Sequence, residues 1–319
     1  MILIFSSIVP PNLYQTARDY WSSLPPNLNS MLGGYTQVDY VDVCESLNFL
    51  DLFGPPTHAY ALDCGAGIGR VAKHLLLRRF ARVDLVEMTK SFLDKAAEFI
   101  GSTNYARIGE CFCVGLQFHL YSQSYIDAPI RRLSIYHFLY VTRLFNGSII
   151  LPSIFCQEFT PPLGRYDLIW IQWVSCQLTD LALINFLQRA ARGLSQSGVI
   201  VIKENVTTDG SLQFDSQDGS YTRSREAILA LVAATKCLVL VGEADQSGFP
   251  TSLYPVKMFA LTKIDPARDD EKVDDMQLIR DSCVSQSVSV TLPCLGDSRN
   301  LCSNKDQTGN FNSSDLSEV

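Results

Sequence analysis

The chain has 319 residues, 47% of them hydrophobic and 18% charged, with a formal net charge of −7. That balance gives ample material for a buried core and excludes both a wholly disordered chain and a broad nucleic-acid-binding face, which needs clustered Lys and Arg. Five basic and eleven acidic residues lie from Ile264 onward, so this segment carries six of the seven net negative charges and the body is nearly neutral.

Residues 1–13 open with MILIFSSIVP, apolar but lacking a basic start and a small-residue cleavage site, so no signal peptide is expected. No run of about 18 uncharged apolar residues exists, so no membrane span is expected either. The ten cysteines are scattered, with no C-x-x-C pair and no histidine at zinc spacing. They read as mostly reduced core residues of an intracellular protein, and no metal site is expected.

Residues 14–58 form the next unit, with two helical pieces in 14–53 separated by the turn-rich LPPNLNSMLGGY. Pro25-Pro26 stops the first piece, and Gly33-Gly34 allows backbone angles closed to other residues. From residue 59 short apolar runs alternate with amphipathic ones. The predicted strands are 59–63, 83–87, 111–116, 166–173, 198–204, 237–243 and 256–262, and the predicted helices 69–79, 90–101, 180–194 and 223–235. Such alternation with near-continuous apolar strands is the pattern of an α/β fold with a mostly parallel sheet covered on both faces. Residues 118–157 break the rhythm without sustained periodicity, an unusual length for a connection. Residues 263–319, rich in Ser, Asp and Asn, read as a disordered acidic tail.

Asp63-Cys64-Gly65-Ala66-Gly67-Ile68-Gly69-Arg70 follows the first strand and opens a helix. Glycines permit a tight turn and close approach of a ligand, and the helix start offers unpaired N–H groups. Glu87 ends the second strand, 18 residues past Gly69, where it can accept both hydroxyls of a ribose. Glycines in such a turn also serve simple tight packing, but triplet, arginine and acidic residue together point to a nucleotide-type cofactor. A dinucleotide fingerprint needs glycine at position 70, where this chain has arginine. The D-x-G-x-G-x-G form instead resembles motif I of class I S-adenosylmethionine methyltransferases, with Arg70 available for the methionine carboxylate.

Three further segments, YWSSLPPNLNSMLGGY (20–35), YDLIWIQWVSCQLTD (166–180) and VIKEN (201–205), resemble the alpha N-terminal protein methyltransferases, the N-terminal Xaa-Pro-Lys N-methyltransferases. The resemblance covers residues 14–117 and 158–262. It implies a Rossmann-like class I fold of seven mostly parallel strands over 59–262, interrupted by 118–157, with N-terminal helices and a substrate-covering hairpin. It implies methyl transfer from S-adenosyl-L-methionine to the α-amino group of proteins beginning Xaa-Pro-Lys or Xaa-Pro-Arg, in the nucleus and cytoplasm; charge and hydropathy, as above, lead to no expected direct nucleic-acid or membrane partner.

Matched by position, the resemblance makes Gly65, Gly67, Arg70, Glu87, Met88, Thr89, Leu116, Gln117 and Gln172 the cofactor set. It makes Trp21, Leu32, Gly33, Trp173, Asp215, Ser220 and Tyr254 the substrate set, with Asn205 holding the amine. Trp173 offers a flat face for a proline ring, with a core tryptophan as its bland alternative. Asp215 and Asp218 are anionic partners for a third-position cation, or else merely solvated loop acids. Asp209-Gly210 suggests a hairpin turn that folds 205–222 over the peptide.

Two departures from the family pattern stand out. Where the family carries a histidine before Leu-Thr-Asp, this chain has Gln177, which cannot accept a proton at neutral pH. Asp218 is then left as the main base, with lower activity or a more alkaline optimum. The insert 118–157 separates GLQ from EFTPP, nearly contiguous in the family, and is expected to contain translated intron; a transcript joining the two would show it. A reader of Xaa-Pro-Lys termini with weak or no activity, and a methyltransferase for another substrate, are the competing expectations.

Overall fold

The computed structural model describes residue 10, residues 12–117 and residues 159–264. The expectations for residues 1–9, for the insert and for the acidic tail lie outside the described residues. Seven strands form the body of the sheet: β1 Tyr60–Cys64, β2 Arg82–Val86, β3 Ile108–Phe112, β4 Tyr166–Gln172, β5 Leu194–Thr207, β8 Leu238–Asp245 and β9 Val256–Lys263. They lie in the order β3-β2-β1-β4-β5-β9-β8, with β9 antiparallel to both of its neighbours and the other pairs parallel. This is the expected α/β architecture.

Every residue of β4 is buried, because a central strand of a parallel sheet is covered on both sides. Side chains alternate between the two cores. Ile169 and Ile171 join Leu62, Phe186, Leu187 and Phe259 on one face, while Leu168 and Trp170 join Leu75, Phe80, Leu85 and Met258 on the other. The first face is covered by α7 Asp180–Gly193 and α8 Arg225–Ala234, the second by α3 Asp39–Phe53, α4 Arg70–His74 and α5 Lys90–Ile100. Thr179 and Ser224 cap α7 and α8 by accepting the Ala182 and Ala227 N–H groups. The remaining α-helices among the described residues are α1 Leu13–Ser23, α2 Leu28–Met31 and α6 Ser102–Tyr105. No helix among the described residues is long and apolar enough to cross a membrane.

Four sequence expectations need correction. The third strand is Ile108–Phe112 rather than 111–116, because it is the edge of the sheet and buries little but Ile108. The helix expected over 69–79 is α4 followed by a 3-10 turn at Leu76–Arg78. Asp209-Gly210 does not close a hairpin: β5 pairs with β7 in parallel, and the hairpin is β6 Gln213–Asp215 with β7 Ser220–Ser224, turning at residues 216–219. Of the six described cysteines only Cys64 is buried, and Cys111 on the edge strand and Cys113 just past it are exposed.

Candidate active site

The carboxyl ends of β1, β2 and β4, with the segment after β3, enclose one cavity, as expected for an open parallel sheet. Its floor is the glycine turn. Gly65, Gly67 and Gly69 all have positive φ, and a Cβ on Gly65 would overlap Val174 while one on Gly67 would overlap the Met31 sulfur. Gly65 and Ala66 donate their N–H groups to the Val86 carbonyl at 2.9 and 3.0 Å, which ties the turn to β2.

Glu87 spans the adjoining wall. Its Oε2 accepts the Gly67 N–H at 2.9 Å and its Oε1 the Thr89 N–H at 2.6 Å, leaving one lone pair on each oxygen. Burial pushes its carboxyl above the usual range, opposed by those two N–H groups. Arg70 is buried, with Nη1 2.8 Å from both Asp39 and Asp42 and its guanidinium 5.5 Å from the centre of the Trp173 ring. Met88, Thr89, Leu116, Gln117 and Gln172 complete this half of the lining, so the nine expected cofactor residues share one cavity.

The other half holds Trp21, Trp173 and Gln177. Trp21 meets Phe92 edge to face at 6.5 Å. Trp173 is half-buried rather than core and has φ 51, a left-handed conformation that costs a bulky residue about 1–3 kcal/mol. Its N–H donates to the Lys203 carbonyl at 3.1 Å, which anchors the strained residue to β5. Two buried polar atoms on the cavity-lining residues have no partner among the described residues: Trp173 Nε1 and Gln177 Oε1. A polar ligand would satisfy them, since an unpaired buried polar group costs about 1–3 kcal/mol.

Asp218 lies one hydrogen bond behind this wall. Its Oδ2 accepts from Gln177 Nε2 at 3.2 Å and its Oδ1 from the Ser220 N–H at 2.9 Å. Asn205 sits half-buried near the end of β5 opposite Val256, its N–H on Glu204 Oε1 at 3.0 Å. Asp215 and Ser220 face each other across the β6–β7 hairpin, and Asp215 is exposed. The exposed Tyr254 bonds Gln213 of that hairpin through its hydroxyl. Leu32 is buried and Gly33 lies on an open turn, both outside the cavity lining. Leu32, Gly33, Asn205, Asp215, Asp218, Ser220 and Tyr254 are therefore not cavity walls.

Several residues emerge only from the fold. Met31, Phe92 and Val174 line the cavity. Glu204 is buried beneath it, its Oε2 accepting from Ser175 Oγ at 2.7 Å and the Cys176 N–H at 3.1 Å, so it staples the turn bearing Gln177 to β5. Arg223 holds the same turn through the Ser175 and Leu178 carbonyls at 3.2 and 2.6 Å.

Asp63, quoted in the motif without a role, is buried at the cavity floor. Burial raises its carboxyl to about 7, opposed by the Ala72 N–H it accepts and by Arg70. A carboxyl with a raised folded-state pKa binds more protons folded than unfolded. Its contribution to stability is therefore present below the unfolded value of about 4 and is lost as pH rises to about 7. Denaturation at pH 5 and pH 8 should show this loss in the wild type and a smaller one in Asp63→Asn. Equal losses would remove Asp63 as the cause.

The sequence model of the AdoMet dependent proline di-methyltransferases matches residues 10–126 and 148–262. The intervening 127–147 fall inside the segment expected to interrupt the domain. The chain is 38% identical over 256 residues to alpha N-terminal protein methyltransferase 1 of Caenorhabditis elegans, covering 78% of this chain and 90% of that protein. Identity is also 38% over 254 residues to N-terminal Xaa-Pro-Lys N-methyltransferase 1-A of Xenopus laevis, covering 78% and 94%. A solved SAM-dependent methyltransferase from Leishmania major superposes with TM-score 0.63 at 29% identity, covering 78% of this chain and 83% of that one. The chain belongs to the AdoMet-dependent proline di-methyltransferase family and has the fold of a class I S-adenosylmethionine-dependent methyltransferase.

Proposed function

We propose that this protein transfers methyl groups from S-adenosylmethionine to the α-amino group of proteins beginning Xaa-Pro-Lys, the terminus named for its Xenopus relative, or Xaa-Pro-Arg. The observation that carries the reading is the division of one cavity between a glycine, glutamate and arginine half and a tryptophan and glutamine half backed by Asp218. The first half suits the donor, with Glu87 for the ribose hydroxyls, Arg70 for the carboxylate, and Leu116 and Gln117 beside the base. The donor supplies a methyl group made electrophilic by its sulfonium. Unsatisfied buried atoms and glycines that leave no room for a side chain support the fit.

Everything else falls to the chain's own residues. An α-ammonium has no free electron pair, so a proton must leave before attack. Its ordinary pKa of about 7.7–8.0 makes this far easier than for a lysine at about 10.4. Asp218, set behind Gln177 rather than on the cavity wall, takes that proton through a bridging water, its orientation fixed by two N–H donors. Gln177 gives Nε2 to Asp218 and keeps Oε1, without a partner among the described residues, for an amine hydrogen. Asn205 orients the amine from β5, and Trp173 presents its face to the second-position proline ring. Asp215 on the hairpin meets the third-position cation, with Ser220 and Tyr254 beside it. Trp21, Leu32 and Gly33 border the entrance from the N-terminal cap. Holding amine and donor in line removes much of the entropic barrier.

A Ser-Pro-Lys peptide incubated with donor should gain methyl mass on its α-nitrogen, and a blocked N-terminus should gain none. Donor binding without any gain would favour the alternative that Gln177 motivates, a reader of such termini. Gln177→His restores a second proton acceptor beside Asp218 and should raise the rate severalfold below pH 7.5, converging with the parent at higher pH. A flat pH–rate comparison would overturn that role for position 177. We place the protein in nucleus and cytoplasm, and imaging of the tagged full chain tests this.

A further inference from the structure

Beneath the cavity floor lies a carboxylate that the reading above leaves unused. Asp42, in the first turn of α3, is 1% exposed. Its Oδ2 meets Arg70 Nη1 at 2.8 Å and its Oδ1 meets Lys203 Nζ at 2.7 Å. Gln172 Nε2 donates to both oxygens, at 2.9 and 3.1 Å. These partners come from α4, β5 and β4, so one buried carboxylate ties the helical cap to three elements of the sheet domain. Burial alone would raise this carboxyl, but Lys203 and Arg70 outweigh it and hold it at about 2, so it is ionised at neutral pH.

A buried charge cluster is weak evidence for stability, since removing ions from water costs several kcal/mol each and apolar packing often does as well. The arrangement instead fixes orientation. Lys203 Nζ is also held by Ser46 Oγ at 2.8 Å and Gln246 Oε1 at 2.6 Å, so the cation opposite Asp42 cannot wander. Gln172 Oε1 accepts from Trp170 Nε1 at 2.9 Å, which sets the direction of its amide. Arg70 commits Nη1 to Asp39 and Asp42, and among the described residues Nη2 and Nε are left for a ligand. Both Arg70 and Gln172 line the cavity.

We propose that Asp42 is a positioning residue for the donor: it aims the Arg70 guanidinium and the Gln172 amide so that the free edge of the guanidinium meets the donor's carboxylate. The proposal rests on the reading that Arg70 takes that carboxylate. Two probes separate this role from general support of the fold. S-adenosylhomocysteine carries the amino-acid carboxylate, whereas 5′-methylthioadenosine keeps the nucleoside and the sulfur but lacks it.

Titration calorimetry of the full chain with each probe forms the test, using Asp42→Asn, the double variant Asp42→Asn with Lys203→Met, and Arg70→Met. The double variant also removes the buried ammonium that the single one leaves unpaired. Both Asp42 variants should bind S-adenosylhomocysteine about tenfold more weakly or worse, the scale of one misplaced charge-assisted contact, while methylthioadenosine binding stays within about twofold. Equal weakening of both probes in the double variant would make Asp42 merely structural, and no weakening of either would remove its role. Selective loss in Arg70→Met but not in the Asp42 variants would overturn the proposal and leave the Arg70 reading standing. If Arg70→Met also retains full affinity for S-adenosylhomocysteine, the carboxylate assignment falls and the proposal with it.

Discussion

An Asp218→Asn enzyme should methylate a Ser-Pro-Lys peptide at about a hundredth of the parental kcat or less at pH 7, with the peptide KM little changed. General-base catalysis contributes about 10²–10⁴-fold, and among the described residues no other carboxylate is hydrogen-bonded to the Gln177 amide that lines the cavity. The substitution keeps shape and local bonding. Asparagine still accepts the Ser220 N–H, and the Gln177 amide can turn so that its oxygen accepts where its nitrogen donated. The pH profile separates proton acceptance from mere positioning. Above about pH 8 most of a free α-amine has already lost its proton to water, so the deficit should shrink with rising pH. A deficit of constant size from pH 6.5 to 9 would assign Asp218 to positioning, and an undiminished rate would remove it from the mechanism.

The parts legible in the sequence were those with a local physical signature. The glycine turn was readable because positive φ at Gly65, Gly67 and Gly69 admits few other residues. Strand β4 was readable because burial on both faces writes an unbroken apolar run. Strand β3 is not legible at its true bounds because an edge strand with three exposed residues in five carries no such run, while the neighbouring CFCVGL does. Asp209-Gly210 suggests a hairpin because that dipeptide turns well alone. The fold turns instead before Gly219, where a Cβ would stand 3.0 Å from the Leu13 carbonyl of α1, so a distant element limits what the turn can hold. Asp42 and Lys203 lie 161 residues apart on different elements, and nothing in either neighbourhood announces that they meet.

Gly65→Ala should leave the protein folded but reduce its affinity for S-adenosylhomocysteine about a hundredfold or beyond measurement. Two penalties coincide at this position. Its φ of +71 is left-handed, which costs an alanine about 1–2 kcal/mol. The new Cβ would also stand 2.7–3.1 Å from the Val174 side-chain carbons. Valine is stiff at χ1 and cannot swing aside, and its backbone follows the strained Trp173, so relief requires moving the turn or the tryptophan wall. Either movement displaces a cavity surface, because Gly65, Trp173 and Val174 all line it. Gly67→Ala should be milder, since its obstacle is the sulfur of the flexible Met31 side chain. Gly210→Ala is the control for strain alone: its φ is +76, no atom of the described residues lies within 4 Å of the added carbon, and it is no part of the cavity lining. That variant should lose a comparable increment of stability and no affinity. If Gly210→Ala loses as much affinity as Gly65→Ala, or Gly65→Ala binds like the parent, then close approach to the glycine turn is not what makes this cavity a donor site.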